Sequence, residues 1–130
     1  MNIKRNITIK GRNNQIDIGM QTKLQDTKIK IYGNYNHLSI ARGCILLCNF
    51  ELIGDGNVIS IGQATASGMG TLMAHGGKTI RIGDDCLFSM QCSIRTTDSH
   101  PIFDEQGQRV NPDESVIIGD RVWLGMNVHV

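Results

Sequence analysis

Apolar residues recur every six positions through Ile82, Phe88 and Ile94, and the next such step falls on His100 inside a polar stretch. The beat resumes at Ile118, Leu124 and Val130, and Ile40, Leu46 and Leu52 keep it upstream. A six-residue beat is neither the period of an α-helix nor the alternation of a hairpin strand. It is the beat of a solenoid whose coil has three short flat faces, one hexad to each. A longer repeat is superimposed on it. Ile9-Lys10-Gly11-Arg12-Asn13-Asn14-Gln15-Ile16-Asp17-Ile18 recurs as Ile31-Tyr32-Gly33-Asn34-Tyr35-Asn36-His37-Leu38-Ser39-Ile40 and again as Leu52-Ile53-Gly54-Asp55-Gly56-Asn57-Val58-Ile59-Ser60-Ile61. The glycines at 11, 33 and 54 set a period of 22 and then 21. A degenerate fourth copy puts Met73 in the place of Leu52 and His75 in the place of Gly54, and closes on Ile80-Arg81-Ile82.

The two periods fit together, because three hexads and a turn insertion of three or four residues give 21 or 22. Glycine and asparagine are expected at the corner, where a positive φ costs them least. The Ile-x-Ile segments predict short strands with alternate side chains inward, and stacked coils then form parallel sheets. The competing reading is a meander of antiparallel strands with accidental spacing. Residues 63–72 read as irregular strand or loop, and no helix is expected. The largest interruption, near 98–115, contains Pro101, Gly107 and Pro112, and a loop of that length inside a repeat domain is a functional candidate.

Composition narrows the classes. A formal charge of +1 gives no electrostatic case for nucleic acid or an anionic membrane. No apolar run is long enough to span a bilayer, and the basic N-terminus lacks the apolar segment of a signal peptide. Cys44, Cys48, Cys86 and Cys92 match no zinc pattern and read as reduced thiols in or near the core, which suits the cytoplasm.

Three stretches carry a resemblance: Ile82-Gly83-Asp84-Asp85-Cys86-Leu87-Phe88, then Ile94-Arg95-Thr96-Thr97-Asp98-Ser99-His100, then Val116-Ile117-Ile118-Gly119-Asp120-Arg121-Val122-Trp123-Leu124-Gly125. With the polar loop bearing Arg109-Val110-Asn111 between them, residues 80–130 resemble the hexapeptide-repeat acyltransferases, nearest the branch that O-acetylates sugars and polysaccharides. The resemblance implies an all-β, left-handed parallel β-helix. It divides one continuous domain into N-terminal solenoid coils (1–79) and acyltransferase coils with an active-site loop (80–130). It also implies acetyl-CoA as co-substrate, a sugar or polysaccharide acceptor, a homotrimer with sites between subunits, and no metal.

By the same resemblance His100 is the general base. A sugar hydroxyl is a poor nucleophile until its proton is accepted, and imidazole titrates near working pH. Asp98 either orients that ring, holds the loop, or is a solvated carboxylate. Trp123 marks the donor site or packs under the loop. Gly125 lets the pantetheine arm pass close to backbone or is a plain corner. Arg109 and Asn111 contact the acceptor or cap the loop. The negative charge that develops on the thioester oxygen needs N–H or O–H donors. The family's asparagine on the preceding coil has no counterpart in 63–72, leaving backbone N–H groups, Thr71 or Ser67. His37, His75 and His129 are weaker candidates for chemistry.

The family normally continues with further coils and a cap beyond the position of Val130, so a fragment or a minimal member is expected. Two other functions share the scaffold. A zinc hydratase of the γ-carbonic-anhydrase type needs three histidines around one metal, two of them close in sequence, and the four here are widely spaced. A non-catalytic solenoid kept for assembly is the remaining alternative.

Overall fold

The computed structural model describes residues 6–130, which form a left-handed parallel β-helix of three five-stranded sheets. The chain visits the sheets in rotation. The first sheet stacks β1 (Ile7–Lys10), β4 (Ile29–Tyr32), β7 (Asn49–Ile53), β10 (Gly70–His75) and β13 (Cys92–Arg95). The second stacks β2 (Gln15–Ile18), β5 (His37–Ile40), β8 (Val58–Ile61), β11 (Thr79–Ile82) and β14 (Val116–Ile118). The third has two-residue strands: β3 (Lys23–Leu24), β6 (Ile45–Leu46), β9 (Ala66–Ser67), β12 (Leu87–Phe88) and β15 (Trp123–Leu124). Residues 63–72, expected to be irregular strand or loop, include β9 and the start of β10.

Stacking places like residues in columns. Leu38, Ile59 and Ile80 lie side by side in the second sheet, as do Ile40, Ile61 and Ile82, and all six are buried. Ile29, Phe50, Leu72 and Ile94 form the matching column of the first sheet. Each such side chain contributes roughly 1.5–3 kcal/mol relative to exposure. Cys44, Cys48, Cys86 and Cys92 are free and buried, as the reading of reduced thiols expected. Burial pushes the Cys48 thiol up to about 11, with desolvation of the thiolate as the main cause.

The corners correct two expectations. Gly11, Gly33 and Gly54 have positive φ, but Asn14, Asn36 and Asn57 do not. The asparagines instead form a ladder. Asn14 Oδ1 accepts from the backbone N–H of Asn36 at 2.9 Å, and Asn36 Oδ1 accepts from the N–H of Asn57 at 2.9 Å. Asn57 Oδ1 then accepts from Gly77 N at 2.9 Å. Asn36 and Asn57 are fully buried, so these bonds satisfy corner backbone that water cannot reach.

The fourth corner is displaced by one residue. Ala74, not Met73, lies beside Leu52, and His75 lies beside Ile53 in the strand. The turn falls on Gly76 and Gly77, whose φ values are 74° and 73°. His75 therefore projects from the first sheet and is no corner residue.

The polar interruption leaves the solenoid between the first and second sheets. Its neck is fastened by Glu114 N donating to Thr96 O at 2.9 Å and by Thr79 N donating to Ser115 Oγ at 3.0 Å. Farther out, Phe103 and Arg109 form an antiparallel bridge, and Asp104 Oδ1 accepts from Gln106 N and Gln108 N to close the hairpin. Ile102, Phe103 and Val110 on this hairpin are exposed.

Candidate active site

The loop holds His100 by its backbone and leaves its ring exposed. Asn111 Nδ2 donates to the carbonyl oxygen of His100 at 2.8 Å and to Asp98 Oδ2 at 3.0 Å, while its Oδ1 accepts from Ile102 N. Asp98 is thus tied to Asn111 across the loop. Asn111 sits at the centre of this clamp with three partners from both arms of the loop. Ser99, beside His100, adopts a positive φ of 66° and accepts from the Arg95 guanidinium.

A second fastening reaches the sheet. Asp113 Oδ2 meets His75 Nδ1 at 3.0 Å, and Arg109 donates to Asp113 Oδ1 at 3.2 Å. The Asp113 side chain is only 10% exposed. Hydrogen bonds from Thr97 and His75 hold its carboxyl below the usual carboxylate range, with Arg109 adding a favourable charge and burial opposing. Beside this group a hollow of about 350 Å³ is bounded by Ile53, Met73, His75, Thr97, Ser99 and Arg109, among others. A wider cleft of about 550 Å³ lies on the other side of the neck, between Arg95, Asp98, Glu114 and His129.

Trp123 is elsewhere. It pairs with Leu87 in the third sheet, 72% exposed, and its Nε1 donates to Ser89 Oγ at 3.2 Å. In a three-faced prism the third sheet lies opposite the corner from which the loop emerges, so Trp123 does not pack under the loop. At Gly125 a Cβ would meet nothing within 4 Å, so the backbone there is open to close approach.

Two polysialic acid O-acetyltransferases are similar in sequence. That of Neisseria meningitidis is 39% identical over 129 residues, covering 95% of this chain and 58% of the relative. That of Escherichia coli O1:K1 / APEC is 33% identical over 88 residues, covering 63% of this chain and 29% of the relative. Two crystal structures share the fold. The polysialic acid O-acetyltransferase OatWY superposes with a TM-score of 0.78 at 29% identity, covering 95% of this chain and 69% of that one. The polySia-specific acetyltransferase NeuO superposes with a TM-score of 0.71 at 25% identity, covering 96% and 69%. No protein-family model matches the chain. In sequence and in fold the chain is similar to the hexapeptide-repeat sugar O-acetyltransferases. It spans little more than half the length of the Neisseria relative.

Against this family background, two residues of the site were not anticipated. Asp113 and Thr97 lie on either side of the His100 loop, and Asp113 joins His75 across 38 positions of sequence, a separation no local motif reveals. Of the candidate oxyanion donors, Ser67 is an inward position of the third sheet between Leu46 and Phe88, facing the core. Thr71 faces outward between Asn49 and Ser93. The remaining histidines are dispersed: His37 bonds Asp17 at 2.7 Å on the second sheet, and His129 bridges Ser93 beside β13. Among the described residues no helix is long and apolar enough to cross a membrane.

Proposed function

We propose that the chain forms part of an enzyme that transfers an acetyl group from acetyl-CoA to a hydroxyl of a sialic acid polymer. The observation carrying this reading is the Asn111 clamp, which fixes the His100 backbone and leaves the imidazole free for a substrate. The acceptor class follows the polysialic acid named for both similar enzymes.

In the proposed reaction His100 accepts the proton of the sugar hydroxyl as its oxygen attacks the thioester carbonyl carbon. The C–S bond then breaks, the acetyl ester remains on the sugar, and the departing thiolate takes the proton back from His100. Charge on the carbonyl oxygen in between requires a donor, for which Thr71 or backbone N–H groups stand available. Trp123 would present an indole face to the donor, and the open backbone at Gly125 would let the pantetheine arm lie close. Asp98 and Asn111 serve as positioning residues, and Arg109, tied to Asp113, edges the acceptor side.

His100 and Trp123 lie on opposite sides of one prism, so a site using both draws on two copies. Two exposed apolar surfaces support that assembly. One is the hairpin bearing Ile102, Phe103 and Val110; the other is the third-sheet stripe of Ile45, Leu87 and Trp123. They differ, so their union is head-to-tail, a contact that forms a ring when its rotation closes and a filament when it does not. A homotrimer is the proposed ring. The free thiols suit a reducing compartment, the cytoplasm.

The test is incubation of the chain with acetyl-CoA and polysialic acid. Acetyl ester on the polymer, with stoichiometric release of CoA, is the expected result. A folded oligomer that binds acetyl-CoA yet forms no ester would overturn the reading in favour of a non-catalytic solenoid.

A further inference from the structure

The three outward faces differ in chemistry. The third sheet shows Ile45, Ala66, Leu87 and Trp123, an apolar column with Lys23 at its first rung. The second shows Asp17, Ser39, Ser60 and Arg81, polar and close to balanced, and ends on the exposed Ile117. The first carries two columns, Lys30-Glu51-Met73-Arg95 and Lys10-Tyr32-Ile53-His75, and both lead to the His100 loop. Of the thirteen lysines and arginines, Lys10, Lys30 and Arg95 stand in these columns, against the single carboxylate of Glu51.

We propose that the outward face of the first sheet is a track for the anionic sugar polymer, leading from Lys10 and Lys30 past His75 and Arg109 to the loop. This rests on the acceptor reading above and says where the polymer lies when it is not reacting. Lys10 Nζ and Lys30 Nζ stand 5.1 and 5.3 Å from the centroid of the Tyr32 ring. The ring holds both ammonium groups beside one aromatic surface, and each keeps donors free for carboxylates. Tyr32 itself offers a platform for the apolar face of a sugar ring. At the far end Arg95 stands on β13, and the hollow bounded by Met73, His75, Ser99 and Arg109 continues the path onto the loop.

Length and sign agree with such an occupant. Four inter-strand steps separate β1 from β13, about 19 Å at the usual strand spacing, enough for several sugar units in an extended chain. The two carboxylates on the path do not block it: Asp113 is engaged by His75 and Arg109, and Glu51 lies beside Lys30. A polymer with one carboxylate per residue meets cations at both ends of this path, Lys10 and Lys30 at one and Arg95 at the other, and a neutral glycan gains nothing from them.

Direct binding of polysialic acid to the full chain at low and moderate salt tests the track without requiring turnover. Two variants with the same change of charge on different faces make the comparison: Lys30→Glu on the first sheet and Lys23→Glu on the third. Lys30→Glu should weaken binding severalfold, the scale of losing one charge-assisted contact, and should flatten the salt dependence. Lys23→Glu should bind as the unaltered chain does. Equal loss from both faces, or no loss from either, would overturn the track, as would equally tight binding of a neutral dextran or of single-stranded RNA. If the unaltered chain binds polysialic acid through Lys10 and Lys30 but never acetylates it, the track stands and the enzymatic reading fails.

Discussion

Asn111 donates to the carbonyl oxygen of His100 at 2.8 Å, across eleven residues of loop. The same amide group reaches Asp98, and its oxygen takes the N–H of Ile102. One side chain thus fixes both arms of the loop around the candidate base.

Replacing Asn111 should therefore disturb catalysis more than stability. Its bonds are solvent-exposed, so Asn111→Ala should cost about 1 kcal/mol or less in unfolding free energy. Misplacing the imidazole should lower kcat for acetyl transfer by about a hundredfold. Thermal unfolding and initial-rate assays on the same preparation check both halves.

Asp113 makes the loop's attachment sensitive to acid. Its folded pKa is lowered by Thr97, His75 and Arg109. A depressed carboxylate contributes stability that is present above its unfolded value, about 3.9, and is lost as pH falls through the lower folded value. The stability gap between the unaltered chain and Asp113→Asn should therefore be constant near neutrality and close below about pH 4. Denaturant titrations at a series of pH values measure it. A gap that persists at pH 2 would contradict the assignment.

The asparagine ladder predicts a structural loss far from any chemistry. Asn57→Ala would take the side-chain acceptor from Gly77 N and Lys78 N and the donor from Ile53 O, while Asn36 Oδ1 keeps the backbone N–H of residue 57. A loss of about 3 kcal/mol is expected. Asn14→Ala, on the first corner and bearing fewer bonds, should cost less. Chemical denaturation of the two variants gives the comparison.

Cys48 should be inert in the folded protein. Burial raises its thiol to about 11, so at neutral pH almost none is thiolate and access is closed. Thiol-reactive dye should label it only after denaturant is added.

The repeat made the architecture readable because every rung must bury the same columns. Leu38, Ile59 and Ile80 cannot leave their register without exposing a whole face. The fourth corner misled for a physical reason: Met73-Ala74-His75 fits two alignments by hydrophobicity, and a compensating shortening of the next turn hides the one-residue shift. The corner asparagines were read as turn formers because residue type alone does not separate backbone permissiveness from hydrogen-bond capacity. His100 and Trp123 stood out through the resemblance, but their placement on opposite sides emerges only from the order of the sheets. Asp113 carried no sequence signal, since its role depends on how the loop folds back onto His75.

The most direct measurement compares the initial rate of acetyl transfer to polysialic acid by the unaltered chain and by His100→Ala, with acetyl-CoA binding and thermal unfolding recorded for both. The account predicts a fall of about 10²–10⁴-fold in rate, the range a general base supplies, with donor binding and unfolding unchanged. An unaltered rate in the histidine variant would contradict it.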